Sequence, residues 1–292
     1  MTELLIKSYE ELQFQTTQLF NTRELYCYRG QSNSSWKMFP TIFREVGKLT
    51  PAVDITDSAM ISSFERDTYR EFNKCQPSIV SNYKRDDKFE NLAYAQHIGM
   101  PTRLLDWTRK FFIAAYFAVQ GDQNADGCIF ALNLSSYPFN DILGRQVPKG
   151  GYRIESLENL TKDIQLSFLQ PISKPASTIN LVKKFKNCLV FFEAPFSEPR
   201  ITVQDGIFSV YLNEDDQDLE YDHLALINVA ETIANKELVL KLIIPHALKK
   251  EIREKLRRIN GIDHFHVFPD NFGLAKNLTE DMASSLSSLR QT

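Results

Sequence analysis

Residues 94–119 run Tyr-Ala-Gln-His-Ile-Gly-Met-Pro-Thr-Arg-Leu-Leu-Asp-Trp-Thr-Arg-Lys-Phe-Phe-Ile-Ala-Ala-Tyr-Phe-Ala-Val, and they place charged side chains inside an apolar stretch. Gly99 followed by Pro101 predicts the end of a helix, because glycine adopts the left-handed cap conformation and proline cannot continue the helix. A short extended segment and then an apolar helix are expected to follow. Burying a charge is costly unless it is paired, so Arg103 and Asp106 are expected to be either structural ion-pair partners or functional groups.

The composition is that of an ordinary soluble globular protein. Of the 292 residues, 43% are hydrophobic and 24% are charged, and the 34 basic and 37 acidic residues give a formal net charge of −3. This balance excludes a global electrostatic attraction to nucleic acid, although it is compatible with local basic patches. Residues 1–20 lack the features of a secretory signal, and no apolar run approaches the roughly 20 residues that span a bilayer. We therefore expect a cytoplasmic protein with no membrane partner.

The spacing of cysteine and histidine predicts no metal site. The four cysteines are spread through the chain with no close pair, which argues against a structural zinc site and against a disulfide framework. His264 and His266 alternate as they would on one face of a strand, but no third ligand is near them in the sequence. We therefore expect no metal cofactor.

Strands and helices are mixed along the chain without regular alternation. After an opening helix at 3–20, the apolar patterns predict strands at 24–30, 127–134, 188–192, 200–203, 206–212, 238–244 and 264–268, and helices at 57–75, 87–98, 111–119 and 246–259. This mixture favours an α+β fold, a single mixed-strand domain with flanking helices, over a doubly wound sheet.

Arg29 and Gly30, at the end of a predicted strand, form the first candidate site. Glycine allows a ligand or another backbone to approach closely, and the guanidinium offers a planar fork of donors to a phosphate or carboxylate. The alternative is that Arg29 is an edge-of-sheet residue paired with an acidic side chain.

Asp106 and Thr108 form the second candidate site, together with Trp107 between them. On a strand, residues two apart lie on the same face, so both polar groups would point to one side. The alternative is that Asp106 or Thr108 caps the following helix, which begins near Lys110, by accepting its free backbone N–H groups.

The third candidate site lies around the predicted turn at Gly206. The strand that begins at Arg200 precedes this turn, and Glu193 and Glu198 come shortly before it. Carboxylates here could anchor a ribose hydroxyl or stabilise a cationic transition state. Equally, Glu198 and Arg200 could form a rim ion pair of little energetic value. Spacing alone leaves the function open.

Several of these motifs occur together in a known family. They are Tyr28-Arg29-Gly30-Gln31, Trp36, Pro40, Arg44, the block 95–108, the run 115–118, the residues Arg200, Gln204, Gly206 and Phe208, and the segment 268–275. This combination resembles the FRG domain family, named for a Phe-Arg-Gly triplet in which Tyr28 here replaces the phenylalanine. The resemblance implies an N-terminal helix at 1–20, an FRG domain at 21–278 with an insertion or mobile loops at 135–180, and a C-terminal tail at 279–292.

A more distant resemblance is to the arginine-class ADP-ribosyltransferases. That class begins with an aromatic-Arg-Gly strand and continues with a Ser-Thr-Ser strand, an alanine-rich helix ending in Phe-Ala, and another strand. Residues 28–30, 105–118 and 128–132 follow this order, but Asp106 and Trp107 replace the first serine and threonine. A Glu-x-Glu catalytic pair does not align. The resemblance implies a split sheet of the ADP-ribosyltransferase type.

The same resemblance implies NAD as co-substrate. Arg29 would hold its pyrophosphate, with Gly30 near the nicotinamide amide, and Trp107 would stack on a ring of the cofactor. The other implied cofactor-binding residues are Gln31, His97, Arg103, Asp106, Thr108 and Arg200. The implied catalytic residues, which would stabilise the cationic ribose, are Gln204, Glu193 and Glu198.

The implied function is that of an ADP-ribosyltransferase-like protein that modifies a nucleic acid or a protein, as bacterial toxins or antiphage effectors do. Two alternatives stay open from the residues. One is a nucleotide- or nucleic-acid-binding module without turnover, which the basic pairs 183–184 and 257–258 favour. The other is a structural domain that binds a partner, in which the block 95–108 is only core.

Overall fold

The computed structural model describes residues 2–36, 38–49, 58–75, 88–134, 188–193, 199–212 and 239–289. The strands are β1 (Thr2–Leu5), β2 (Tyr26–Gln31), β3 (Leu105–Thr108), β4 (Gly127–Asn133), β5 (Cys188–Glu193), β6 (Gly206–Leu212) and β7 (Val239–Ile244). The helices are α1 (Tyr9–Asn21), α2 (Thr41–Leu49), α3 (Ser58–Cys75), α4 (Lys88–His97), α5 (Phe111–Val119), α6 (Pro199–Gln204), α7 (His246–Asn260), α8 (His264–Val267) and α9 (Asn271–Leu289).

The described strands form one open mixed sheet. Its order is β1-β7-β4-β2-β3-β6-β5, and β1 pairs with β7 in parallel while the other neighbours are antiparallel. The predicted α+β class, with one mixed sheet and flanking helices, is confirmed. The implied split of the sheet is not confirmed, because all seven described strands belong to one sheet. Its narrowest junction is between β2 and β3, where Tyr28 and Thr108 are the paired residues.

The main hydrophobic core lies between one face of the sheet and helices α1, α5 and α7. Helix α5 is apolar on nearly all sides and packs directly on β2 and β4. A Cβ atom added to Gly30 would overlap the carbonyl oxygen of Ala114 and lie 2.8 Å from the Ala118 nitrogen. The close approach that glycine permits at this position is therefore made by α5 rather than by a ligand.

A second core cluster covers the opposite face of the sheet. It contains Leu105 and Trp107 of β3 with Phe130 of β4 and Phe191 of β5, and Met38 packs against them. The β3 side chains therefore divide between two environments, since Leu105 and Trp107 are buried while Asp106 is exposed.

The predicted helix end at Gly99 is confirmed. Helix α4 stops at His97, and Gly99 adopts a positive φ of 97°. The Met100 N–H donates to the Ala95 carbonyl at 2.9 Å, and the Gly99 N–H donates to the Gln96 carbonyl at 3.0 Å. This pair of bonds closes the helix with glycine in the left-handed position, which fixes the last turn of α4.

Three predicted elements are wrong. The helix predicted over 3–20 begins only at Tyr9, capped by the Ser8 hydroxyl, because residues 2–5 form a strand that pairs with β7. The strand predicted at 200–203 is helix α6, which has proline at its first position, where the missing N–H costs nothing.

The strand predicted at 264–268 is the single-turn helix α8. The Asp263 carboxylate accepts a hydrogen bond from the His266 N–H at 2.8 Å, and this cap outweighs the alternating pattern. Helix α9 continues without a break across the predicted boundary between 278 and 279. The predicted insertion at 135–180 lies outside the described residues.

Among the helices that the structure describes, none is both long enough and apolar enough to cross a membrane.

We predict that Gly30→Ala destabilises the fold by about 3 kcal/mol or more, because the new methyl group collides with the α5 backbone. Gly206→Ala is the matched control in another strand, since its Cβ would lie 3.8 Å from the nearest side-chain atom. It should change the unfolding free energy by less than about 1 kcal/mol. Urea unfolding of both variants measures the difference, and equal effects would contradict the packing argument.

Candidate functional site

A pocket of about 120 Å³ lies between the C-terminal end of α4, helix α6 and the paired strands β3 and β6. Five residues that the sequence assigns to a cofactor or catalytic role line it: His97, Asp106, Trp107, Arg200 and Gln204. These residues come from three separate parts of the chain, so the fold brings together the second and third candidate sites.

Helix α6 contributes Arg200 and Gln204, and α8 with the residue after it holds both in place. The Arg200 guanidinium lies 4.6 Å from the centre of the Phe268 ring, and its Nη1 donates to the His97 carbonyl at 3.3 Å. The Gln204 amide donates to the Val267 carbonyl at 3.0 Å. Burial lowers the pKa of Arg200, and the nearby carboxylates of Asp106 and Asp270 oppose that shift. The guanidinium stays charged and keeps unused N–H donors among the described residues.

Arg29 is not among the residues that line the pocket, and it approaches β3 from the other side. Its Nη1 donates to the backbone carbonyl of Asp106 at 2.7 Å, and its Nε is buried without a hydrogen-bond partner among the described residues. Burial lowers the pKa of Arg29, and the Arg44 charge adds to that effect while Asp106 opposes it. In the described part of the chain no carboxylate forms an ion pair with Arg29, so the pairing alternative is not what this geometry favours.

Asp106 is exposed at the mouth of the pocket. Its Oδ2 accepts a hydrogen bond from the Gln96 amide at 3.1 Å. The same amide nitrogen donates to the Leu104 carbonyl at 3.2 Å, and the Gln96 carbonyl oxygen accepts the Thr102 hydroxyl. The carboxylate therefore has a fixed support, and Gln96 itself lines the pocket.

The capping alternative is wrong for Thr108, because the N-cap residue of α5 is Lys110 and no side chain among the described residues caps that helix. Thr108 instead binds the residue just before the helix. The Lys110 N–H donates to its hydroxyl oxygen at 3.0 Å, at the start of α5. The hydroxyl in turn donates to the Gln204 carbonyl. Thr108 thus links α5 to α6 and is not among the residues that line the pocket.

Trp107 lines the pocket with little of its surface, since it is only 5% exposed. Its indole N–H donates to the Ser209 hydroxyl at 2.8 Å, and the ring meets Phe191 edge-on at 5.7 Å. These contacts fix the ring in the second core cluster, so the geometry offers no free ring face for the implied stacking on a cofactor.

Arg103 lies in a buried ion pair and does not line the pocket. Its Nε donates to Glu65 Oε2 at 2.5 Å, and its backbone N–H donates to Glu65 Oε1 at 3.1 Å. Arg103 is 4% exposed and Glu65 is 1% exposed. This pair ties α3 to the segment before β3 and explains the buried charge without a ligand.

Three predicted site residues, Gln31, Glu193 and Glu198, are not shown to line the pocket. Gln31 is buried at the end of β2, away from the pocket lining, and its Oε1 has no hydrogen-bond partner among the described residues. Glu193 pairs in register with Ile207, which lines the pocket, but its side chain lies outside what the structure describes. Glu198 also lies outside the described residues, so a catalytic role for either glutamate stays a prediction.

Sequence reasoning missed Gln96 as a site residue and gave α8 no role. The signal for Gln96 was present, since a helix that stops at Gly99 must place its last turn near the following extended segment. No sequence signal for α8 was available, because the alternating histidines suggested a strand. His264 instead binds the Tyr116 hydroxyl through Nδ1 at 2.6 Å. Among the described residues no group of three or more His, Cys, Asp or Glu could hold a metal ion.

Comparison with known proteins gives one match, which covers the N-terminal part of the chain that contributes to this site. Residues 24–127 match the model of the FRG domain family. No curated protein and no solved structure matches the chain. The matched region contains Arg29, His97 and Asp106 but ends before α6. The extension of the domain to residue 278 stays a prediction.

We predict that Glu65→Ala lowers the unfolding free energy by about 3–5 kcal/mol, because it leaves the Arg103 charge buried and unpaired. The matched control on the same helix is Glu71→Ala, whose exposed pair with Lys74 at 2.7 Å should be worth less than about 1 kcal/mol. Denaturant unfolding measures both, and a small effect at Glu65 would contradict a structural role for Arg103.

We also predict that the contact between His264 and Tyr116 weakens in acid. Burial lowers the pKa of His264 from its ordinary 6.5, and burial raises the pKa of Tyr116, which keeps its hydroxyl protonated as a donor. The other charges that act on His264 are those of Lys276, Glu280, Asp270 and Asp263. The folded state therefore binds a proton less readily than the unfolded state. Its stability is full above pH 6.5 and falls as the pH drops below that value.

Unfolding titrations between about pH 7.5 and pH 5 test this dependence. The variant His264→Gln should lose part of the acid-dependent fall in stability. His266→Gln, which changes an exposed histidine on the same helix, should keep the wild-type fall. Identical pH profiles for the wild type and His264→Gln would contradict the prediction.

Proposed function

We propose that this chain is an ADP-ribosyltransferase-like protein that uses NAD to modify a nucleic acid or a protein, in the manner of a bacterial toxin or antiphage effector. The observation that carries the proposal is the convergence of His97, Asp106, Arg200 and Gln204 on one pocket, with the Arg29 guanidinium held against the same strand. Convergent polar groups from distant parts of a chain are typical of a binding site.

The order of the elements supports the same proposal. The strand that carries Tyr28-Arg29-Gly30 is the antiparallel neighbour of β3. Strand β3 leads into the alanine-rich helix α5, and β4 follows. This is the order that the ADP-ribosyltransferase resemblance implies, with the difference that Asp106 and Trp107 occupy positions where that class has serine and threonine.

The charges of the site suit a dinucleotide. Arg29 and Arg200 both keep unused N–H donors among the described residues, and guanidinium groups bind phosphate oxygens through charge-assisted hydrogen bonds. The pocket volume of about 120 Å³ is below the roughly 300–1,000 Å³ of most small-molecule sites, so it would accept one group of a larger ligand. NAD, when bound, supplies the ADP-ribosyl group, with nicotinamide as the leaving group.

Each residue of the site would bind the part of the ligand that suits its own chemistry. The two arginines would hold the phosphates. The Gln204 side chain donates to the Val267 carbonyl, which leaves its own oxygen as an acceptor for a hydroxyl or amide of the ligand. Asp106 would accept a hydrogen bond at the mouth of the pocket.

One observation favours a second function, the binding of a nucleotide without turnover. Among the described residues that line the pocket, Asp106 is the sole carboxylate and no glutamate is present. A module that only binds needs the arginines but no glutamate. The two functions differ in whether nicotinamide is released, and a measurement of that release separates them.

We predict that the purified protein binds NAD and releases nicotinamide, and that Arg29→Ala and Arg200→Ala each weaken binding at least about tenfold. A charge-assisted hydrogen bond is worth about 1.5–3 kcal/mol, and 1.4 kcal/mol corresponds to a factor of ten. Calorimetric titration measures the affinity, and chromatography of the reaction measures nicotinamide. Arg70→Ala, at an exposed position of α3, is the control and should bind as the wild type does.

The possible outcomes distinguish the functions. Binding with nicotinamide release supports the transferase. Binding without release supports the nucleotide-binding module. Absence of NAD binding by a folded wild-type protein contradicts the proposal, as does wild-type affinity in both arginine variants.

A further inference from the structure

An exposed carboxylate in this pocket is held by a buried support. Thr102 is fully buried, and its hydroxyl oxygen accepts the Leu104 N–H at 3.1 Å while its hydroxyl hydrogen goes to the Gln96 carbonyl oxygen. The Gln96 nitrogen then donates to the Leu104 carbonyl and to the Asp106 carboxylate. Both of these partners are acceptors, so the amide has only one orientation that satisfies the network.

This support extends into the backbone on both sides. Helix α4 ends in the glycine-closed turn at Gly99, which fixes the position of Gln96. The Thr102 carbonyl accepts the Ile42 N–H at 3.2 Å, which ties the segment to α2. An exposed aspartate needs no such support for stability, because water satisfies its oxygens. Support by a satisfied buried network is what a functional group needs to stay in one geometry.

The surroundings of Asp106 also differ from those of a surface aspartate. It accepts one side-chain hydrogen bond, from Gln96, and its Oδ1 has no hydrogen-bond partner among the described residues. The charges of Arg29 and Arg200 act on it without forming an ion pair within 4 Å in the described part of the chain. Its remaining acceptor capacity is therefore available at the pocket.

We infer that Asp106 is the catalytic carboxylate of this pocket and that Gln96, supported by Thr102, is its positioning residue. The inference rests on the proposed function and deepens it. It moves the carboxylate role from the segment 193–204, where the sequence resemblance places it, to β3.

Asp106 accepts the proton of the acceptor's hydroxyl or amine as the nucleophilic oxygen or nitrogen of that acceptor forms a bond to the anomeric carbon of the ribose. The bond from that carbon to the nicotinamide nitrogen breaks, and its electron pair leaves with neutral nicotinamide. Asp106 then passes the proton to water. A carboxylate at this position also stabilises the positive charge that develops on the ribose.

Substitutions at Asp106 and Gln96 test the inference. Asp106→Asn should lower kcat for nicotinamide release about 100-fold or more, with NAD affinity changed less than about threefold. Gln96→Glu keeps the acceptor for Thr102 but sets a second carboxylate against Asp106, and it should lower both the melting temperature and kcat. Asp106→Glu keeps a carboxylate and should retain more activity than Asp106→Asn.

The double variant Gln96→Glu/Asp106→Asn decides between a catalytic and a structural role. It restores the hydrogen bond between residues 96 and 106 with donor and acceptor reversed, but it does not restore the bond to the Leu104 carbonyl. The melting temperature should therefore rise above that of Gln96→Glu without reaching the wild-type value. Activity should stay as low as in Asp106→Asn, because the carboxylate is on the wrong residue. Asp67→Asn, the same chemical change at an exposed position of α3, is the control and should keep wild-type kcat.

The outcomes separate this inference from the function on which it rests. A wild-type protein that neither binds nor cleaves NAD overturns both, and one that binds without cleavage also removes a catalytic role for Asp106. A wild-type protein that cleaves NAD, together with an Asp106→Asn variant of equal kcat, overturns the inference alone. Recovery of both stability and activity in the double variant also overturns it, since that is the result expected of a purely structural pair.

Discussion

The close packing of α5 on β2 and β4 is the constraint on which the site depends. Gly30 and Gly127 have no Cβ, and the α5 backbone occupies the space that a methyl group would need. Two connections then lead from α5 to the pocket. Just before its start, the Thr108 hydroxyl accepts the Lys110 N–H and donates to the Gln204 carbonyl of α6. Near its end, Tyr116 binds His264, in the segment that supports Arg200. A shift of α5 would therefore move the α6 side of the pocket as well.

Three arginines that look alike in the sequence have different environments in the fold. Arg103 is buried against Glu65, and that pairing satisfies its charge inside the core. Arg29 and Arg200 are half-buried, and each makes one hydrogen bond to a backbone carbonyl among the described residues. Desolvation without a counter-charge is expensive for a structural residue, whereas a ligand anion can supply the missing partner. This difference in pairing is the physical ground for assigning the last two, and not the first, to a binding role.

The sequence predicts the local features of this fold better than the long-range ones. The helix end at Gly99 and the strands at 127–133 and 206–212 follow from glycine chemistry and apolar patterns. The strand at 2–5 could not be predicted in this way, because its partner β7 lies near the other end of the chain. In the site, the polar residues of β3 were found, but their partners were not. Outside the site, Glu65 is 38 residues from Arg103, and nothing in the local pattern couples them.

The boundary of the family match divides the pocket into two chemical halves. Residues 24–127 supply the exposed carboxylate of Asp106 and the Gln96 network that holds it. The part beyond 127 supplies the Arg200 guanidinium and the Gln204 amide, on a six-residue helix with no buried residue of its own. A helix of that kind depends on its neighbours for its position, here α8 and the Thr108 hydroxyl. The carboxylate half is thus built into the rigid sheet and α4, while the cationic half can be altered through α6 without disturbing the core. A site divided in this way can keep one chemistry while its selection of the ligand changes.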